Sequence, residues 1–177
     1  MSGANKPRRA ICRTSPVRLL LCACLGVIAS RGLSASTLLV HKPAPQFVLT
    51  DLDQRKLDLN AYRGKLVLLN FWATWCAPCQ LEMPRFVAWQ NQYGPRGLQI
   101  IGISMDDDPA LARKFRDKLQ LNYPIAMGDE KLGELYGGIF GLPLTYLIDG
   151  DGVVQAQFSG ETDLNTVEEK IKSLLHP

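Results

Sequence analysis

Two cysteines, Cys76 and Cys79, stand three residues apart in the segment Phe71-Trp72-Ala73-Thr74-Trp75-Cys76-Ala77-Pro78-Cys79. An apolar run, Leu66 to Trp72, leads straight into them, and a stretch of helical character follows. A strand that ends at a helix N-terminus leaves unpaired N–H groups and the positive end of the helix dipole beside the first thiol. Both favour thiolate over thiol, and the thiolate is the species that attacks a disulfide. The spacing alone leaves several chemistries open: an exchanging redox pair, a fixed structural disulfide, or half of a zinc site. A Cys₂His₂ centre would need His41 and His176, near the two ends of the domain, to converge on the pair. A small C-x-x-C ring at a helix end is more often reducible than protective, which weighs against a passive binding module.

The other three cysteines, Cys12, Cys22 and Cys24, all lie in the first 24 residues, whose plan is that of a secretory leader. Lys6, Arg8, Arg9, Arg13 and Arg18 precede an apolar stretch from Leu19 to Ser30, and Ser34-Ala35-Ser36 offers a small-residue cleavage zone. That stretch is short of the roughly 20 residues a bilayer span needs. Residues 1–36 are therefore read as a signal peptide, with an uncleaved membrane anchor as the alternative. A lipid anchor at Cys24 has weaker support, and Arg8-Arg9 is read as charge rather than as a twin-arginine signal. The leader holds six of the 20 Lys and Arg residues and none of the 17 Asp and Glu, so the remainder carries 14 basic against 17 acidic residues. The chain's overall charge of +3 thus belongs to the leader, and no basic patch interleaved with aromatics supports nucleic-acid binding. Residues 37–177 suffice for one domain with its own core.

The elements that must hold the cysteines alternate. Gln46–Leu49 and Leu57–Leu59 read as a hairpin, and Thr37–Pro45 as an exposed lead-in. Leu66–Trp72 and Leu98–Ile103 are the uninterrupted apolar runs of strands buried on both faces. Ala77–Tyr93 is predicted helical, with Leu81, Met83, Phe86, Val87 and Trp89 available for burial and Pro84 expected to kink it or interrupt its ladder. Asp108-Pro109 is a helix start. Leu144–Ile148 and Val153–Phe158 form a strand pair around Asp149-Gly150-Asp151-Gly152, and Asp163 caps a last helix with Leu164, Val167, Ile171, Leu174 and Leu175 at helical spacing. The fold class is α/β with a mixed central sheet flanked by helices and an extra N-terminal hairpin.

These residues carry a family resemblance. Ala44-Pro45-Gln46-Phe47, Arg63-Gly64-Lys65 leading to Asn70–Cys76, Cys79-Gln80-Leu81-Glu82-Met83-Pro84 and Gly141–Asp149 together resemble the thioredoxin superfamily, and within it the exported TlpA/ResA-like thiol–disulfide oxidoreductases. The resemblance spans Ala44 to Leu175. It implies that Cys76 is the exposed attacking thiol and Cys79 the resolving one, and that Ala77-Pro78 tunes the potential. It also implies that Pro143 is the cis proline facing the pair. Pro143 would leave the Leu142 main chain free for an incoming peptide, and Trp75 would shield the site. Plainer readings make Pro143 a turn proline and Trp75 a core aromatic.

Asn70 stands where thioredoxin proper has a buried, titratable Asp. Glu82, three residues after Cys79 and close to its helix face, is the expected substitute for that acid, against the plainer reading of a solvated helix glutamate. Asp106-Asp107-Asp108 lacks the glycine and distal glutamate of a calcium loop and reads as a solvated helix start. Gly133, Gly137, Gly138 and Gly141 read as loop punctuation. No Pro-x-x-x-Thr-x-x-Cys arrangement of a peroxide-reducing site precedes Cys76.

The sequence thus implies a cell-envelope thiol–disulfide oxidoreductase, periplasmic and either soluble or tethered by its N-terminus. It calls for no cofactor and no metal. Its implied partners are disulfide-containing exported proteins or apocytochrome c, with a membrane thiol–disulfide electron donor. General reduction of exported proteins is the first reading and apocytochrome reduction the second, since Gly141-Leu142-Pro143-Leu144-Thr145 departs from the Gly-Ala-Pro-Glu-Thr of the dedicated cytochrome branch. An oxidase or isomerase role is third.

Overall fold

The computed structural model describes residues 39–175. The leader, the start of the lead-in and His176 lie outside them. Its strands are β1 (Val48–Thr50), β2 (Lys56–Asp58), β3 (Leu66–Trp72), β4 (Leu98–Ser104), β5 (Ile125–Met127), β6 (Leu144–Ile148) and β7 (Val154–Ser159). The helices are α1 (Ala77–Tyr93), α2 (Pro109–Leu119), α3 (Glu130–Leu135) and α4 (Leu164–Leu175).

Five strands form one mixed sheet in the order β5-β4-β3-β6-β7, with β3, β4 and β5 parallel and β6 and β7 antiparallel to their neighbours. β3 lies at its centre and is buried at every residue, which explains its unbroken apolar run. Alternate β3 side chains feed two cores. Leu68 and Trp72 pack with Cys76, Cys79 and the apolar residues of α1, α2 and α4; Val67, Leu69 and Phe71 pack with Tyr136, Tyr146 and the N-terminal segment. β1 and β2 form the expected hairpin, shifted to Val48–Asp58.

The lead-in is more anchored than its composition suggests. Ala44 is buried, the His41 N–H donates to Val154 O, and Val154 N–H donates to Lys42 O, so the chain borders β7. At the opposite side of the sheet Leu52 N–H donates to Ile125 O. Both rims of the sheet therefore meet N-terminal chain, which limits open edge pairing.

Two expectations, those for Leu81 and Gly133, need correction. α1 itself runs as one helix through Pro84 and lacks one ladder bond there, because that residue has no N–H to donate to Gln80. Its buried positions are Cys79, Glu82, Met83, Phe86, Trp89 and Tyr93, a stripe with steps of three and four. Leu81 is turned roughly 200° away from Cys79 at 3.6 residues per turn and is 74% exposed. Gly133 lies buried within α3 rather than in a loop.

Candidate functional site

The site forms where β3 ends and α1 begins. Cys76 is the N-cap of α1 with extended backbone, and Pro78 occupies the first turn, where its missing N–H leaves no gap. Cys76 and Cys79 are joined by a disulfide, with S–S 2.03 Å and Cα atoms 5.3 Å apart. The Cys79 N–H donates to Cys76 Sγ at 3.3 Å, so this sulfur faces the positive end of the helix. Cys76 was expected to be exposed; in the disulfide it is only 5% exposed, because its sulfur is folded over the helix start. The prominent group is instead Trp75, 71% exposed, which rules out the core-aromatic reading.

A polar clamp holds the turn before Cys76. The Thr74 N–H donates to both Asp106 oxygens at 3.0 and 3.1 Å, and the Thr74 hydroxyl donates to Asp106 Oδ1 at 2.7 Å. The Ser104 hydroxyl donates to Asp106 Oδ2 at 2.8 Å, while the Gln80 side-chain amide reaches back to Thr74 O at 2.7 Å. Asp106 is thus buried and inward-facing, contrary to the solvated helix start expected for the acidic run; only Asp107 and Asp108 are exposed. Asp108 does cap α2, accepting from Ala110 N–H.

The other flank of the disulfide has the opposite character. Glu82 is 7% exposed within the buried stripe of α1, and its Oε2 has no hydrogen-bond partner. Burial, and secondarily the charge of Glu161, push its pKa up from 4.5 to about 7. The solvated-glutamate reading does not hold. Tyr123 OH and Trp72 Nε1 are likewise buried without partners. Burial, then the Glu82 charge, raises the Tyr123 phenol. Gly102 makes this patch possible: a Cβ there would come within 3.0 Å of Trp72 Nε1 and 3.4 Å of Tyr123 Cε2. Asn70 is buried and bridges β3 to β6, donating from Nδ2 to Thr145 Oγ1 at 2.9 Å.

The Leu142–Pro143 peptide bond is cis and Pro143 is buried at the head of β6. Leu142 is half-buried and packs against the core that contains the cysteines. A cavity of about 260 Å³ opens beside it, with Phe140, Leu142, Leu144 and Tyr146 among its lining residues; Phe140 is 91% exposed. Among the described residues no group of three or more His, Cys, Asp or Glu side chains converges as a metal site, and no helix is long and apolar enough to cross a membrane.

Sequence reasoning overlooked Asp106, Ser104 and Tyr123. The first sat in an acidic run, and nothing local marked the others.

A disulfide at the N-terminus of α1, in a five-stranded mixed sheet with a cis proline before β6, defines a thiol–disulfide oxidoreductase of thioredoxin-like fold. The chain belongs to the AhpC/TSA family, whose pattern matches residues 40–157. It is 35% identical over 162 residues to the thiol-disulfide oxidoreductase ResA of Bacillus thuringiensis subsp. konkukian, covering 89% of this chain and 92% of that one. It is 36% identical over 141 residues to the thiol:disulfide interchange protein DsbE of Escherichia coli K12, covering 77% and 74%. Among solved structures, a putative thiol:disulfide interchange protein DsbE from Chlorobium tepidum superposes with a TM-score of 0.70 at 29% identity, covering 75% of this chain and 95% of that one. The activity is therefore thiol–disulfide exchange of the ResA and DsbE type.

Proposed function

We propose that the protein reduces disulfides of exported proteins, with Cys76 as the attacking thiol and Cys79 as the resolving one. The observation that supports the resolving role of Cys79 is the buried Glu82 one turn further along α1, whose carboxyl Oε2 has no partner. Cys79 must lose its proton to release the mixed disulfide, and an acid that titrates near neutrality can accept that proton and later return it. Asn70, bonded to Thr145 and unable to titrate, leaves this task to Glu82.

In this reading the reduced protein attacks a client disulfide through the Cys76 thiolate. One S–S bond forms between Cys76 and the client as the client's own breaks, and the departing client thiolate takes a proton. Cys79 then attacks Cys76, the mixed disulfide breaks, and the client leaves with both cysteines reduced. An extended client segment would pair with the Leu142 main chain beside Pro143 and lay an apolar side chain at the mouth of the adjoining cavity. Trp75 would cover the far side of the client. A thiol–disulfide donor at the membrane would restore the dithiol, and residues 1–36 would export the domain or tether it at the outer face of the cytoplasmic membrane. Tethering would raise its effective concentration toward such a donor. Apocytochrome c is the narrower form of this reading, because its haem-attachment Cys-x-x-Cys-His segment forms a disulfide open to attack.

The test is the reduction potential of the pair, equilibrated against defined thiol–disulfide buffers in the full chain with Cys12, Cys22 and Cys24 replaced by serine. A value at or below about −270 mV, that of thioredoxin, supports a reductant. A value near −120 mV, that of strong exported oxidants, overturns it in favour of disulfide formation. The role of Glu82 is tested separately by titrating Cys79 in wild type and Glu82→Gln; coincident curves would sink it.

A further inference from the structure

We infer that Asp106 is a positioning residue for Cys76, acting through Thr74. This rests on the reading of Cys76 as the attacking thiol. Asp106 comes from the β4–α2 connection, 30 residues beyond the cysteine, yet it holds the turn that precedes it. Both of its oxygens are engaged by donors: the Thr74 N–H and hydroxyl on one element, the Ser104 hydroxyl on another. Ser104 is itself fully buried at the end of β4 and pairs with Trp72 at the end of β3. The Met105 N–H donates to Trp72 O at 2.8 Å, so the connection that carries Asp106 is tied directly to the strand that delivers Cys76. Within the turn, the Cys76 N–H donates to Ala73 O at 3.2 Å.

The clamp matters more in one redox state than in the other. In the disulfide, Cys76 is held covalently to α1. In the dithiol that bond is gone, and the clamp together with the Ala73 bond keeps the thiol over the helix N-terminus. Loosening the clamp gives the dithiol conformational freedom that it must lose again on closing the ring. The Asp106 carboxylate also opposes negative charge on a nearby thiolate. The charges around it add to this effect: Asp107, Asp129 and Glu130 line the same hollow as Asp106, Glu161 acts on Glu82, and residues 73–84 contain no Lys, Arg or His. The first basic residue of α1, Arg85, is paired with Glu168. Removing the Asp106 charge and weakening its bonds therefore act in the same direction, toward the dithiol.

The experiment equilibrates Asp106→Asn, Asp106→Ala and Thr74→Ala with thiol–disulfide buffers, in the full chain lacking Cys12, Cys22 and Cys24. Two electrons and two protons pass between buffer and protein as one S–S bond forms and another breaks. Asp106→Asn should shift the exchange constant about tenfold toward the dithiol, or about 30 mV upward in potential. Thr74→Ala, which loses one bond and keeps the charge, should shift it less and in the same direction. The turnover of insulin disulfides should fall about fivefold in Asp106→Asn, with KM held within twofold. Should Asp106→Ala fail to fold, the Asn and Thr74 variants carry the test. An exchange constant and a turnover within twofold of wild type in every folded variant would overturn the inference and leave Asp106 as scaffold. Failure of the underlying reading looks different: alkylation of Cys79 rather than Cys76 in the unsubstituted dithiol would remove Cys76 as nucleophile whatever Asp106 does.

Discussion

The two flanks of the Cys76–Cys79 disulfide are built on opposite principles. On the Cys76 side a buried carboxylate has its acceptors filled: Thr74 and Ser104 donate to both oxygens of Asp106. On the Cys79 side a buried carboxyl, a phenol and an indole, those of Glu82, Tyr123 and Trp72, each keep a polar atom without a partner. A buried polar group without a partner forfeits about 1–3 kcal/mol, so folding alone favours the first arrangement. The difference is chemical. A satisfied anion fixes geometry, while an unsatisfied acid is held where gaining or losing a proton is nearly balanced. The nucleophile needs the first and the resolving thiol the second.

The largest effect should come from breaking the satisfied side. Asp106→Ala strands the Thr74 N–H, and the two hydroxyls lose their acceptor, in a site only 6% exposed. Urea unfolding of the oxidised protein should show a loss of about 4 kcal/mol, with Asp106→Asn losing about 1 because its amide oxygen still accepts from Thr74. Equal, small losses in both variants would mean that the turn is held by strand pairing alone.

This contrast was only partly legible in the sequence. β3, α1 and β6 were read with their observed bounds because each has a strong internal signal: an apolar run buried on both faces, or a long periodic stripe. β5 has three residues and α3 has six, too few for a period. They are set by tertiary partners instead, β5 by its register against Gly102–Ser104 and α3 by the cap that Asp129 provides to Leu132 N–H. The cysteines were legible through spacing. Glu82 was partly so, since the positions of Met83, Phe86, Trp89 and Tyr93 fix a stripe that passes through it. Asp106 was not, because three consecutive aspartates look alike until β3–β4 pairing turns one of them inward.

A second effect, smaller and dependent on pH, belongs to the unsatisfied side. Glu82 keeps its proton in the fold up to about pH 7 but gives it up near 4.5 when unfolded. Between those values the folded state binds more protons, so stability falls as pH rises. The loss from this group should approach 3 kcal/mol across the window at about 1.4 kcal/mol per unit. Glu82→Gln should match wild type near pH 4 and exceed its stability at pH 8, as read from unfolding midpoints at each pH. Parallel curves would show that Glu82 reaches solvent and is not the poised acid.

Tyr123→Phe should give the smallest change and the sharpest view of how the orphaned groups depend on one another. The hydroxyl makes no hydrogen bond, so deleting it removes a desolvation cost and no contact; stability should stay within about 1 kcal/mol of wild type and move upward if it moves at all. Its chemical effect depends on whether the phenol serves Glu82 during turnover. Burial and then the ionised Glu82 carboxylate raise the Tyr123 phenol, and a phenol so placed stays protonated and faces a carboxylate as the donor. If it donates to Glu82 once the carboxyl ionises, Tyr123→Phe should raise the Glu82 pKa further and move the upper limb of the pH–rate profile with it. A profile that superimposes on wild type would restrict the proton path to Glu82 and Cys79, with Tyr123 left as packing against Gly102.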